Sequence, residues 1–259
     1  MPEHRLLLAA NLADRFGAQL LGISALAIPP PAVAQGMVIS ALTEVDIKLM
    51  EQTLAGRGDW FRQIAGDGRR KREWRSALDF PVEALAREAR SADFVVIGQK
   101  NTTGSVYRSL DPGEAVVKMG RPTLIVPEGA NALRAERVVI GWKDTREARR
   151  AIQDALSFLQ QATRVTIVET CGPDDEKTAL GRLGDVARYL SLHRIEANPK
   201  VVLEQRGSGA EELIRVAQEE RADLLVTGAY GHSRLGEWIF GGMTRELLAK
   251  SPICCLMSH

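Results

Sequence analysis

Cysteine is scarce in this 259-residue chain, which has only Cys171, Cys254 and Cys255. A disulfide framework is excluded, because neighbouring cysteines on a strand point to opposite faces and cannot bridge. A reducing, cytoplasmic setting is expected. Aromatic residues make up 5% of the chain, and Trp60, Trp74, Trp142 and Trp238 are too scattered to form a base-stacking track. Neither sign of charge is in excess: 34 Lys and Arg against 33 Asp and Glu leave +1. Nucleic-acid binders usually carry a basic surplus, so no nucleic-acid partner is expected. The one basic run, Arg69-Arg-Lys-Arg72, follows Gly66, Asp67 and Gly68 and reads as a solvated turn. Long apolar runs are missing too; none approaches the roughly 20 residues of a membrane span. The opening MPEHRLLLAANLADRF mixes charge into its apolar stretch and offers no cleavage site. Neither a signal peptide nor a membrane anchor is expected from it.

The composition that remains is 45% hydrophobic and 26% charged, that of a folded globular chain long enough for two modest cores. It also repeats. Ser91-Ala-Asp-Phe-Val-Val-Ile-Gly98 parallels Arg221-Ala-Asp-Leu-Leu-Val-Thr-Gly228, and Arg121-Pro-Thr-Leu-Ile-Val-Pro127 parallels Ser251-Pro-Ile-Cys-Cys-Leu-Met257, both at an offset of 130. Upstream, Leu8, Leu12, Ala18, Leu21 and Ile23 fall on Ile152, Leu156, Ala162, Val165 and Ile167 at an offset of 144. The first half thus holds 14 extra residues, some of them around Pro29-Pro30-Pro31, which no helix or central strand accepts. Two related domains are expected, 1–128 and 135–259, joined near Pro127-Glu-Gly-Ala-Asn131.

The second domain reads as strands at 137–142, 164–169, 199–204, 223–227 and 253–257 alternating with helices at 145–161, 174–192, from Ser208 to about Glu220, and 242–250. Ser208-Gly-Ala-Glu211 is a capping box. Alternation with short connections implies a doubly wound α/β fold with a parallel sheet. Shifted by 144, the strand at Val138-Val-Ile-Gly141 has no counterpart, so the first domain is expected to lack its first strand. A late start, a cut domain and replacement by another segment are equally compatible with that.

In such sheets ligands bind beyond the carboxyl ends of the strands. The loop after Thr227 carries Gly228 and Gly231, which let backbone N–H groups approach an anion, and Gly241 and Gly242, which open a helix. A tight strand-to-helix turn is the alternative role for these glycines. His232 and Arg234 lie inside the loop, where phosphate contact and plain solvation are both open. Rossmann dehydrogenase and serine hydrolase motifs are absent, and the four histidines show no metal-ligand spacing.

Gly, two residues, Gly, nine residues, Gly after the fourth strand resembles the ATP-binding signature of universal stress proteins, and the tandem resembles their two-domain members. The resemblance implies a Rossmann-like, adenine-nucleotide alpha hydrolase-like fold and a cytoplasmic stress-response module binding ATP, with Mg²⁺ where the triphosphate requires it. It places phosphate contacts at Gly228, Gly231, Gly241 and Gly242. Two positions depart from the pattern: Gly242 stands where Ser or Thr is usual, with Thr244 two residues on, and Lys143 stands where an Asp is usual. In the first domain the equivalent positions are Asn101, Asp111, Pro112 and Glu114, so no nucleotide is expected there. The family pairs last strand with last strand. Thr123–Val126 and Ile253–Leu256 are therefore expected to pair within the chain as a pseudo-dimer, and a homodimer is a further option. No acid–base pair or activated nucleophile is visible, so slow ATP hydrolysis and a nucleotide-free structural or signalling dimer are the alternatives.

Overall fold

Alternating helices and strands build the chain. The computed structural model describes residues 2–34, 37–40, 43–66, 68, 70–99, 107–203, 208–231 and 242–259. Helix α1 (Glu3–Phe16) ends at Gly17, whose φ of 61° lies in the left-handed region that glycine tolerates. Strand β1 (Leu20–Ala25) follows, then the short antiparallel pair β2 (Ala32–Ala34) and β3 (Met37–Ser40). Helix α2 (Glu44–Ala65) starts at a reciprocal cap between Thr43 and Asp46. Next come β4 (Arg72–Ala77), α3 (Pro81–Ala89), β5 (Val95–Gly98), α4 (Pro112–Lys118) and β6 (Thr123–Val126).

The second half runs β7 (Arg137–Gly141), α5 (Arg146–Asp154), α6 (Leu156–Leu159), β8 (Arg164–Cys171), α7 (Glu176–Leu192), β9 (Ala197–Leu203), α8 (Gly209–Glu219), β10 (Leu224–Gly228), α9 (Gly242–Lys250) and β11 (Cys254–Ser258). The helix read over 145–161 is broken at Ala155, whose ψ of −6° tightens the turn between α5 and α6. Strand β9 begins two residues early, with Pro199 inside it. Proline is tolerated there because β9 is the outer edge and needs no donor on that side. The cap at Ser208 has both halves: its hydroxyl accepts from the Glu211 N–H, and the Glu211 carboxylate accepts from the Ser208 N–H.

One seven-stranded sheet runs in the order β5-β6-β11-β10-β7-β8-β9. Its pairs are parallel except β6 with β11, where Thr123, Leu124 and Ile125 lie opposite Met257, Leu256 and Cys255. Ile253 precedes β11, and Val126 lies beyond the paired residues. Strand β7 sits centrally in its half, between β10 and β8. Among the described residues the first half has no strand in that place. Strands β1 and β4 therefore form a separate parallel pair, apart from β5 and β6.

Side-chain alternation gives the sheet two buried faces. One gathers Val138, Ile140, Val165, Ile167, Leu224 and Val226 under Ile152, Phe158 and Leu183, and takes in Leu8 and Leu12 of α1. The other gathers Val139, Leu225 and Cys255 under Leu213, Val216, Leu247 and Val116. Both clusters draw residues from both halves. Phe16 meets Phe158 edge-on at 5.0 Å across the same boundary.

Candidate functional site

The carboxyl end of β10 carries the glycine loop, and its geometry is set by the first turn of α5. A Cβ on Gly228 would lie 2.6 Å from the backbone nitrogen of Ala148, so only glycine lets the loop lie this close to the helix. A Cβ on Gly231 would lie 2.9 Å from Glu147 Oε2 and 3.2 Å from Thr145 Oγ1. Between them Tyr230 takes φ 57°, a left-handed conformation unfavourable for a side chain of its size. The backbone N–H of Tyr230 donates to Thr244 Oγ1 at 3.2 Å, tying the loop's entry to the first turn of α9.

Thr244 is buried, whereas Gly242 is exposed and a Cβ on it would meet nothing within 4 Å. The amino end of a helix, through its free N–H groups and dipole, favours an anion, and Thr244 places that of α9 at the loop's entry. Lys143 lies exposed just past β7, beside Asp144, which is paired with Arg149. The structure thus brings Gly228, Gly231, Gly242 and Thr244 into one neighbourhood. His232, Arg234 and Gly241 lie outside the described residues.

Four residues of this neighbourhood were not singled out as site residues in the sequence. Thr145 caps α5, accepting from the Ala148 N–H at 3.3 Å. Glu147 is 4% exposed, with its carboxylate beside Gly231 and paired to the exposed Arg146. Burial pushes the Glu147 carboxyl up, but bonds from Arg146, its own N–H and Thr145 outweigh that and leave it below the usual carboxylate range. An ionised carboxylate therefore stands on one wall of the loop. Tyr230 packs near His259, with ring centroids 6.4 Å apart, and His259 Nδ1 lies 3.1 Å from the Ala229 carbonyl. An acid one residue into a capped helix reads as a dipole partner, so no signal in the sequence marks Glu147 as turned inward.

Between α5 and α7, an open cavity of about 440 Å³ is lined by Trp142, Ile152, Val186, Tyr189, Arg149 and Arg182, among others. Arg182 is held by Glu169 and Asp175, each with a contact of 2.6 Å. Among the described residues there is no group of three or more metal-ligating side chains, and no helix long and apolar enough to cross a membrane.

A doubly wound, mostly parallel α/β sheet with a glycine-bracketed loop at a strand's carboxyl end defines a Rossmann-like fold class. Residues 134–259 match the model of the universal stress protein family. A universal stress protein of Synechocystis sp. is 25% identical over 178 residues, 67% of this chain and 60% of that protein. The match thus spans less than two thirds of that relative's length. A universal stress protein structure from Archaeoglobus fulgidus DSM 4304 superposes with a TM-score of 0.76 at 15% identity, over 98% of this chain and 90% of that one. A functionally unknown protein from Pseudomonas aeruginosa PAO1 gives 0.55 at 12% identity, over 92% of each chain. The second half of the chain is thus similar to the universal stress protein family.

Proposed function

We propose that this chain is a cytoplasmic stress-response module that binds ATP in its second half, residues 135–259, with a degenerate, nucleotide-free partner in residues 1–128. The observation that carries this reading is the convergence of the Gly228–Gly231 turn with the amino end of α9 at Gly242, pinned by Thr244 to Tyr230. Backbone N–H groups from both elements can meet phosphate there, and Lys143 adds a nearby cation. Glu147 sets a condition on the ligand. Its charge opposes a free triphosphate and favours one whose charge is reduced by Mg²⁺.

The antiparallel contact of β6 with β11 supports a pseudo-dimer within the chain, built on Thr123–Val126 and Ile253–Leu256. A homodimer would add a second level of assembly. Three buried, unbridged cysteines support a reducing compartment.

Titration calorimetry with ATP and Mg²⁺, together with nucleotide analysis of acid-extracted protein, tests the reading. Heat of binding that Gly231→Ala abolishes is expected. No heat at millimolar nucleotide and none in the extract would leave the second reading, a nucleotide-free structural or signalling dimer, which Glu147 favours. Phosphate release that Gly231→Ala also removes would instead mark a slow ATP hydrolase.

A further inference from the structure

Arg70, Lys71 and Arg72 of the basic run have a definite place in the fold. Strands β1 and β4 begin side by side, with Leu20 opposite Arg72, and the chain reaches β4 by turning back from the end of α2 at Gly66. Between the last turns of α2 and the start of β4 lies a cavity of about 360 Å³. Arg62, Arg70, Lys71 and Arg72 line it, Phe61 and Ala65 supply the apolar part, and no carboxylate lines it among the described residues. The chain as a whole is balanced, 34 cations to 33 anions, so this is a local excess and not a reflection of composition. A concave wall of one sign concentrates its field.

Packing holds that wall in place. The Arg72 side chain is 10% exposed, and its Nη2 lies 2.8 Å from Asp14 Oδ2 of α1. A Cβ on Gly68 would collide with the Arg72 guanidinium, so only glycine lets the turn lie against it. Arg62 pairs with Asp59 at 2.6 Å and Lys71 with Glu73 at 2.9 Å, and Glu73 is shared with Arg75. Such solvent-facing pairs contribute little and can be exchanged for a ligand. Arg70 is exposed and makes no ion pair among the described residues. Phe61 is 1% exposed, so it offers no free ring on which a base could stack.

We propose that this cavity binds a small anion carrying two or more phosphate-type charges. The three guanidiniums are planar forks that match phosphate oxygens, and Lys71 adds a point charge. Arg72, held by Asp14, anchors the wall, and Arg70 brings a charge with no counter-ion of its own. The volume suits a small molecule, and the missing stacking ring argues against a nucleic-acid strand. The site shares no residue with the glycine loop, so it stands or falls apart from ATP binding.

The test uses the full chain in Mg²⁺-free buffer, with inorganic diphosphate as the probe and titration calorimetry as the readout. Binding with a Kd of about 1 mM or below is expected at low salt, weakening as salt is raised. Arg70→Gln is expected to weaken it about threefold, and Arg62→Gln with Arg70→Gln about tenfold. Both positions are exposed, so neither change threatens folding. Gly231→Ala is expected to leave the affinity unchanged. No heat at about 10 mM diphosphate overturns the proposal, as does equal affinity in the double variant. Loss of binding in Gly231→Ala also overturns it, by placing the anion at the glycine loop. Phosphatidylcholine vesicles containing phosphatidic acid separate a lipid headgroup from a free anion. No co-sedimentation is expected; co-sedimentation that the double variant abolishes would overturn the small-anion assignment in favour of a membrane surface.

Discussion

The phenolic oxygen of Tyr230 sits where a side chain at position 113 would have to begin: a Cβ on Gly113 would fall 2.5 Å from it. The glycine loop of the second half thus touches the first turn of α4 in the first half. Gly113→Ala is expected to push Tyr230 aside and to destabilise the protein by ~1 kcal/mol or more, within the range for overpacking. In a Tyr230→Phe background the added methyl has room, so the cost shrinks. Urea unfolding of both single variants and the double variant measures the coupling. Strict additivity would mean that the two residues do not meet in solution.

Tyr230 also titrates abnormally. Burial, then the charge of Asp111, pushes the phenol up to about 12, partly offset by Arg245. The folded state thus favours the neutral phenol, and this contribution is intact below the unfolded value near 10. It is lost as pH rises from about 10 through about 12. Stability should fall less steeply across that window in Tyr230→Phe than in the parent. Thermal unfolding of the two proteins in parallel reads the difference.

Glu147 is expected to act against nucleotide, not for it. Glu147→Gln keeps the shape and removes the charge beside Gly231, so affinity for Mg²⁺-free ATP should rise by about tenfold, equivalent to ~1.4 kcal/mol. Affinity for the Mg²⁺ complex should rise less. Calorimetry with and without chelator distinguishes the two, and equal gains would remove charge as the cause.

Arg182 neutralises Glu169, which is 5% exposed on β8, and also holds Asp175. Arg182→Met leaves the buried carboxylate without its cation. A loss of ~2 kcal/mol is expected, in the range for hydrogen bonds to charged groups and below that of a fully buried pair. Arg182→Met with Glu169→Leu should recover most of it, as read by urea midpoints.

All three cysteines are buried and free. Burial is the main cause that pushes Cys254 and Cys255 each up to about 12. Native protein at pH 8 should therefore resist a disulfide-exchange thiol reagent, and three thiols should react once the chain is unfolded. Fast labelling of any of the three in the native state would contradict the packing of β8 or β11.

The strands that identity at fixed spacing and local apolar pattern mark were legible in the sequence. Ser91–Gly98 against Arg221–Gly228 located β5 and β10. Strong local signals such as Ser208 with Glu211 carried over in the same way. Features set by packing were not legible. The edge position that admits Pro199 into β9, the place of Glu147 beside Gly231 and the reach of Tyr230 to Gly113 are set by elements far apart in the chain. No periodicity within one segment encodes such a neighbour. The glycines were legible, together with the two roles open to them, a tight turn and an anion site. Gly228 is required by its fit against Ala148 whether or not a phosphate is ever bound.

The antiparallel join of β6 to β11 also distributes stiffness unevenly. Hydrogen bonds across Thr123–Met257, Leu124–Leu256 and Ile125–Cys255 make one girder of the two halves, leaving no hinge where the repeat would suggest one. The β1–β4 ribbon lies outside that girder, and the apolar cluster of Leu6, Phe61 and Ala65 beside it is far smaller than the two main clusters. Heat or force should therefore strip the ribbon first and leave the seven-stranded sheet folded, so the chain comes apart beside β5 and not between β6 and β11.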